Sequence, residues 1–114
     1  MNFFPIVVGL EYMYKTEYND KEKVCTIFLE GVVSLKTAIQ LKEQIAKEAE
    51  KGYPHIILDF AKDVHVDSSG IGAIFNSQKY LQERSGSLKI RNIGHETLSI
   101  LKIANLDKHL TIIS

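Results

Sequence analysis

At Leu35 the spacing of apolar side chains changes, and that change restricts the fold more than any other feature of the chain. Upstream, "EYMYKTEY" alternates with a period of two, and "KVCTIFLEG" is β-branched and aromatic, as extended strands prefer. Downstream, Leu35, Ala38, Leu41, Ile45 and Ala49 step by three or four with Lys and Glu between them. That stripe predicts an amphipathic helix through about Glu50. Ser34 stands at the N-cap position, Gly52 at the stop and Pro54 just beyond it. The period then switches back. "HIILDF" is a continuous apolar run, the pattern of a strand covered on both faces.

The alternation repeats to the end of the chain. Ile71, Ile74, Phe75, Gln78 and Leu81 trace a second helix to about Arg84, and "RSGS" turns the chain. "LKIRNI" is a short strand, "ETLSILKIA" a third helix and "HLTII" a closing strand. "NDKEK" suits a hairpin turn between the first two strands. The order β-β-α-β-α-β-α-β predicts an α/β fold. Its sheet is mixed, mostly parallel and mostly buried, with an N-terminal hairpin and helices packed against it through right-handed crossovers. A length of 114 residues fits one domain over residues 1–114. "FFPIVVG", within residues 1–10, is expected as an additional edge strand, because Pro5 lacks the donor a central strand needs.

Composition excludes several functions. Fourteen basic and fourteen acidic side chains cancel, so no bulk charge draws the chain to nucleic acid or an anionic membrane. The single cysteine, Cys25, cannot staple the fold and is expected as a small buried residue in a reducing compartment. The apolar start "MNFFPIVVGLE" lacks a basic n-region and a cleavage site, and it is too short to span a bilayer. A cytoplasmic protein is expected. His55, His65, His95 and His109 show no metal-ligand spacing with the acids or with Cys25. The Lys/Glu pattern of the first helix is expected to be a wetted face. The tyrosines at 12, 14 and 18 are expected to pack on the sheet.

The densest chemistry lies in "VHVDSSGIGAIF", where a strand-like run meets a helix-like one. Asp67, Ser68 and Ser69 are all good N-caps, and an ordinary turn can use several such residues for geometry alone. A cap needs only one, however. Gly70 and Gly72 fall within the first turns, where each costs up to about 1 kcal/mol relative to alanine. Bare backbone there lets another molecule approach closely, and a helix N-terminus tolerates an anion. A phosphate on a serine at this point would add about −1.5 to −2 charges beside Asp67. Enzyme motifs fit poorly. A nucleophile elbow needs glycine where Val66 or Asp67 stands, and His65 on a strand points away from the neighbouring residue. G-x-G-x-x-G begins with Gly70 and Gly72 but meets Phe75 at its third glycine, and no P-loop G-K-[ST] occurs.

"HIILDFAKDVHVDSSGIGAIF" resembles the central segment of STAS domains, the family of bacterial anti-sigma factor antagonists, in which a strand leads through a loop to D-S-[SAT]-G-[LIVM]-G and a helix. "VCTIFLEG" is similar to their second strand, "LKTAIQLKEQIAKEAEKG" to their first helix, and "ETLSILKIANLDKHLTII" to their penultimate helix and closing strand. The resemblance covers about residues 11–113. It implies a binding protein and not an enzyme, without metal or cofactor, acting as a monomer or weak dimer. It also implies that the unphosphorylated form binds a serine kinase/anti-sigma factor and so frees a sigma factor. Phosphorylation at Ser68 breaks that complex, and a PP2C-type phosphatase reverses it. Asp67, Ser69, Gly70, Gly72 and Ser34 would border the contact. The family often carries G-E/D-L/I-D after its second strand. Here "GVVS" keeps Gly31 but puts Ser34 in place of the last acid, so the cap survives and the charge does not. Many relatives also continue into another helix beyond the closing strand. Two other readings stay open: a STAS module that scaffolds another protein without a covalent switch, and a nucleotide site on the first-turn amides.

Overall fold

The computed structural model describes residues 12–113, so the edge strand expected within residues 1–10 lies outside them. β1 (Met13–Asn19) and β2 (Val24–Leu29) form the expected antiparallel hairpin. After β2 come β3 (Gly31–Val33), α1 (Leu35–Glu50), β4 (His55–Asp59) and β5 (Val64–Val66). The chain continues through α2 (Ser68–Gln82), β6 (Ser87–Arg91), α3 (His95–Ile103) and β7 (Thr111–Ile113). Five strands make one sheet in the order β1-β2-β4-β6-β7, parallel from β2 onward. β3 and β5 make a separate two-stranded parallel sheet.

The sheet order explains which face is buried. From β2 to β7 every crossover advances in the same direction, and right-handed crossovers of constant direction place all their helices on one side. The register agrees. Cys25, Ile56 and Leu88 are aligned across three strands, as are Ile27, Leu58 and Ile90, and all six are buried. Leu41 and Ile45 of α1, Ile74 and Leu81 of α2 and Leu101 of α3 join the same core. The opposite face is more open: Ile57 is half-buried and Lys89 exposed. The expectation of a strand covered on both faces is therefore corrected for β4. That pattern belongs to doubly wound sheets, whose crossovers reverse direction. On the open face Phe28 is shielded by Tyr14, with ring centroids 5.8 Å apart, and by Lys15 Nζ, 4.6 Å from its ring.

The helical stripe of α1 is rotated from the sequence reading. Thr37, Ala38, Leu41, Ile45 and Glu48 are buried, whereas Leu35 is 66% exposed. Glu48 corrects the expectation of a merely wetted charged face. Its carboxylate accepts bonds from Tyr18 Oη at 3.0 Å and Gln44 Nε2 at 2.6 Å, and Lys51 Nζ lies 3.2 Å away. These partners replace the water a buried carboxylate loses. The helix stops as expected at Gly52, whose φ of +106° suits glycine. Cys25 is buried as expected, and burial pushes its thiol up to about 12. Tyr12 is buried and donates to the Gln40 carbonyl, while a register shift between Met13 and Lys15 interrupts the alternation of the tyrosines.

Candidate functional site

The small β3–β5 sheet, absent from the sequence reading, assembles the site. Val33 pairs with Val66, so the residues that follow them, Ser34 and Asp67, leave paired strand ends together and begin α1 and α2. Two helix N-termini thus stand side by side. At the first, the Ser34 N–H donates to Thr37 Oγ1 at 2.9 Å, and Thr37 Oγ1 donates to the Val32 carbonyl at 2.8 Å. At the second, Asp67 Oδ1 accepts the Gly70 N–H at 3.0 Å, and the Asp67 N–H donates to the Val33 carbonyl at 3.2 Å. Of the three possible caps, Asp67 is the one used.

That assignment leaves both serine hydroxyls free of the capping role. Ser68 is the first residue of α2 and exposed, whereas Ser69 is half-buried. A group attached to Ser68 would extend outward at the positive end of the α2 dipole. The two glycines play different parts. A Cβ on Gly70 would lie 2.5 Å from the Val33 carbonyl oxygen and 2.6 Å from Val66 Cγ1. The close approach that Gly70 permits is therefore made by β3 and β5 of the same chain, which corrects its reading as an opening for another molecule. Gly72 has nothing within 4 Å of a Cβ position and is open.

Of the sequence-derived site residues, Ser34, Asp67, Ser68 and Ser69 gather at the paired helix starts, Gly70 lies beneath them, and Gly72 faces outward one turn on. The sequence reading missed Val32, which is 53% exposed on β3, and Leu35 and Ile39 on α1. The available signal was the pair of short β-branched runs, "GVV" and "VHV", each directly before an N-cap. His65 and His95 share another cleft, of about 420 Å³, near the carboxyl ends of β4 and β6. There His65 Nε2 lies 3.5 Å from Asp63 Oδ1, and Nδ1 lies 3.9 Å from Glu96 Oε1. Among the described residues no cluster of three or more His, Cys, Asp or Glu is placed to hold a metal ion. No described helix is long and apolar enough to cross a membrane.

Asp59, at the end of β4, ties the sheet to the loop leading toward the site. It is buried and accepts bonds from Arg91 Nε at 2.7 Å, Asn92 Nδ2 at 3.1 Å and the Ala61 N–H at 2.8 Å. These three donors anchor the start of the segment that carries β5 and Ser68.

This arrangement has counterparts. BtrV of Bordetella bronchiseptica, assigned as an anti-sigma factor antagonist, is 25% identical over 76 residues, which span 67% of this chain and 66% of that protein's length. A Thermotoga maritima crystal structure, also assigned as an anti-sigma factor antagonist, superposes with a TM-score of 0.78 at 23% identity, covering 89% of this chain and 86% of that one. The Bacillus cell-fate determinant SpoIIAA, in its phosphorylated form, superposes with a TM-score of 0.65 at 17% identity, covering 88% and 90%. The STAS domain family model matches residues 15–114. With that match spanning nearly the whole chain, and with the sheet order and paired helix starts in place, this protein belongs to the STAS domain family.

Proposed function

We propose that this chain is an anti-sigma factor antagonist of the cytoplasm, which binds a serine kinase/anti-sigma factor while Ser68 is unmodified and thereby releases a sigma factor. Phosphorylation of Ser68 ends the complex, and a PP2C-type phosphatase restores it. The chain supplies a docking surface and an acceptor hydroxyl, with no catalysis, metal or cofactor of its own. The observation that carries the reading is the division of labour at α2: Asp67 takes the cap and Ser68, the next residue, is exposed. A dianion on Ser68 needs no refolding, because the cap remains and the helix N-terminus favours negative charge. Its effect falls on whatever packs there. A docked partner would have to desolvate about two charges beside the Asp67 carboxylate. Ser34, Asp67, Ser69 and Gly72 border that contact, and Gly70 acts through the seating of α2 against β3.

The test is incubation with the cognate serine kinase and ATP. Ser68 becomes labelled, and Ser68→Ala stays unlabelled while still binding the kinase. Phosphate on another residue, or none, overturns the mechanism. One observation favours a second reading, a scaffold without a covalent switch: exposed Val32 and the N-cap Ser34 stand where the family often has acids. On that reading, the complex is indifferent to Ser68→Asp.

A further inference from the structure

The cleft of about 420 Å³ near the carboxyl ends of β4 and β6 is lined, among the described residues, by none from α1 or α2. Its walls are the loop from Phe60 to Asp63, Val64 and His65 of β5, and the start of α3. One buried carboxylate fastens two of these walls to each other. Asp59 accepts the Ala61 N–H at 2.8 Å on one side and Asn92 Nδ2 at 3.1 Å on the other, so the cleft is held in shape by the fold itself. α3 enters it uncapped. The N-cap is Gly94, which makes no side-chain cap bond, and the first backbone bond of the helix runs from the Leu98 N–H to the Gly94 carbonyl at 3.0 Å. The N–H groups of His95, Glu96 and Thr97 have no acceptor among the described residues.

Nothing in the fold demands glycine at this cap. The Gly94 backbone is extended, with φ −76° and ψ 160°, close to Asp67 at φ −94° and ψ −174°, and nothing lies within 4 Å of a Cβ placed on it. An aspartate would fit and would cap the helix. Thr97 gives a second, independent sign. It lines the cleft at 7% exposure, and its hydroxyl has no hydrogen-bond partner among the described residues. A buried hydroxyl left unpaired costs free energy that an acceptor in the cleft would offset. The two acids of the cleft, Asp63 and Glu96, are largely exposed and both approach His65, at 3.5 and 3.9 Å. We infer that this cleft binds a small organic oxyanion, a phosphate or a carboxylate. Its charged oxygens accept from the three free amides and the Thr97 hydroxyl at the positive end of the α3 dipole. Its apolar body lies against Phe60 and Val64, which line the same cleft. The site is separate from Ser68, so it stands or falls independently of the function proposed above.

The test is titration of phenyl phosphate, benzoate, inorganic phosphate and phenol into the isotope-labelled protein, followed by the chemical shifts of its amides. Phenyl phosphate or benzoate should move the amides of His95, Glu96 and Thr97, and the tighter of the two identifies the head group. That ligand should bind more tightly than phenol, which lacks the charge, and than inorganic phosphate, which lacks the apolar body. Thr97→Val keeps the shape, removes the hydroxyl and should weaken it about tenfold. Gly94→Asp should weaken it about tenfold or more while raising the melting temperature, because the new carboxylate takes the free amides as a cap. Ser68→Asp, which changes the charge at the start of α2, should bind as wild type. If neither phenyl phosphate nor benzoate moves the α3 amides at millimolar concentration, the inference is wrong. Shifts that appear at the start of α2 and vanish in Ser68→Asp overturn it too, as does wild-type affinity in both Thr97→Val and Gly94→Asp. Phenol binding as tightly as phenyl phosphate and benzoate would show an apolar cleft with no oxyanion site.

Discussion

Two glycines two residues apart in α2 should respond to alanine with opposite sign. In a helix, glycine is worse than alanine by about 0.5–1 kcal/mol, so propensity alone makes both substitutions stabilising. At Gly72 nothing lies within 4 Å of the new methyl group, and the gain should appear nearly in full. At Gly70 the methyl would lie 2.5 Å from the Val33 carbonyl oxygen, 2.6 Å from Val66 Cγ1 and 3.0 Å from Val33 Cγ1. The first of these is backbone, and the same oxygen accepts the Asp67 N–H at 3.2 Å. Relief therefore requires α2 to lift from β3, loosening the cap as it moves. Overpacking of this kind costs about 1–3 kcal/mol, more than the propensity gain. Gly70→Ala should be destabilised by about 1–2 kcal/mol, and Gly72→Ala stabilised by about 0.5–1 kcal/mol. Urea titrations followed by circular dichroism would measure both as shifts in midpoint. Equal stabilisation by the two would show that β3 does not seat the start of α2, and the packing argument for the site would fail.

Other perturbations test other parts of the structure. Asp59→Ala leaves Arg91 Nε and two further donors without their shared acceptor, and it should cost about 2–4 kcal/mol in denaturant unfolding. Glu48→Ala removes the acceptor for Tyr18 and Gln44. Because Lys51 can return to water, the expected loss is smaller, about 1–3 kcal/mol. Burial raises the Cys25 thiol from 9.0 to about 12 and the Tyr12 phenol from 10.0 to about 12. Both groups stay protonated in the fold after the unfolded chain has ionised, so their contribution is complete below pH 9 and is lost between pH 9 and 12. Melting temperature should fall across that range, and native Cys25 should react with a thiol reagent only as fast as the protein unfolds.

The main sheet was legible because its strands and helices are long enough for their periods to register. β2, β4, β7 and α1 fall within the predicted runs, and β1, β6 and α3 overrun theirs by one residue, at Asn19, Ser87 and His95. α2 begins at Ser68, three residues before the stripe that starts at Ile71. "VHV" reads as strand-like, but β3 and its pairing with β5 were not legible, since three residues cannot establish a period and the pairing joins Val33 to Val66 across 33 positions of sequence. The site followed the same division. Asp67 and Ser68 carry their roles in local sequence, as a cap and the residue after it. Gly70 is glycine for a reason that lies on β3, and Leu35 has an apolar side chain facing outward, which an amphipathic pattern assigns to the core. Glu48 misled for the converse reason: its partners Tyr18 and Lys51 come from β1 and the end of α1, and only tertiary contact makes its burial affordable.

The central claim is tested most directly by comparing the affinity of the cognate kinase/anti-sigma factor for the unmodified chain and for the chain carrying one phosphate, its position fixed by mass spectrometry. The account predicts that the phosphate is on Ser68, that the complex weakens by at least a hundredfold, and that the melting temperature of the free protein does not fall. A phosphate on Ser69, or a phosphorylated Ser68 that binds as tightly as before, would contradict it.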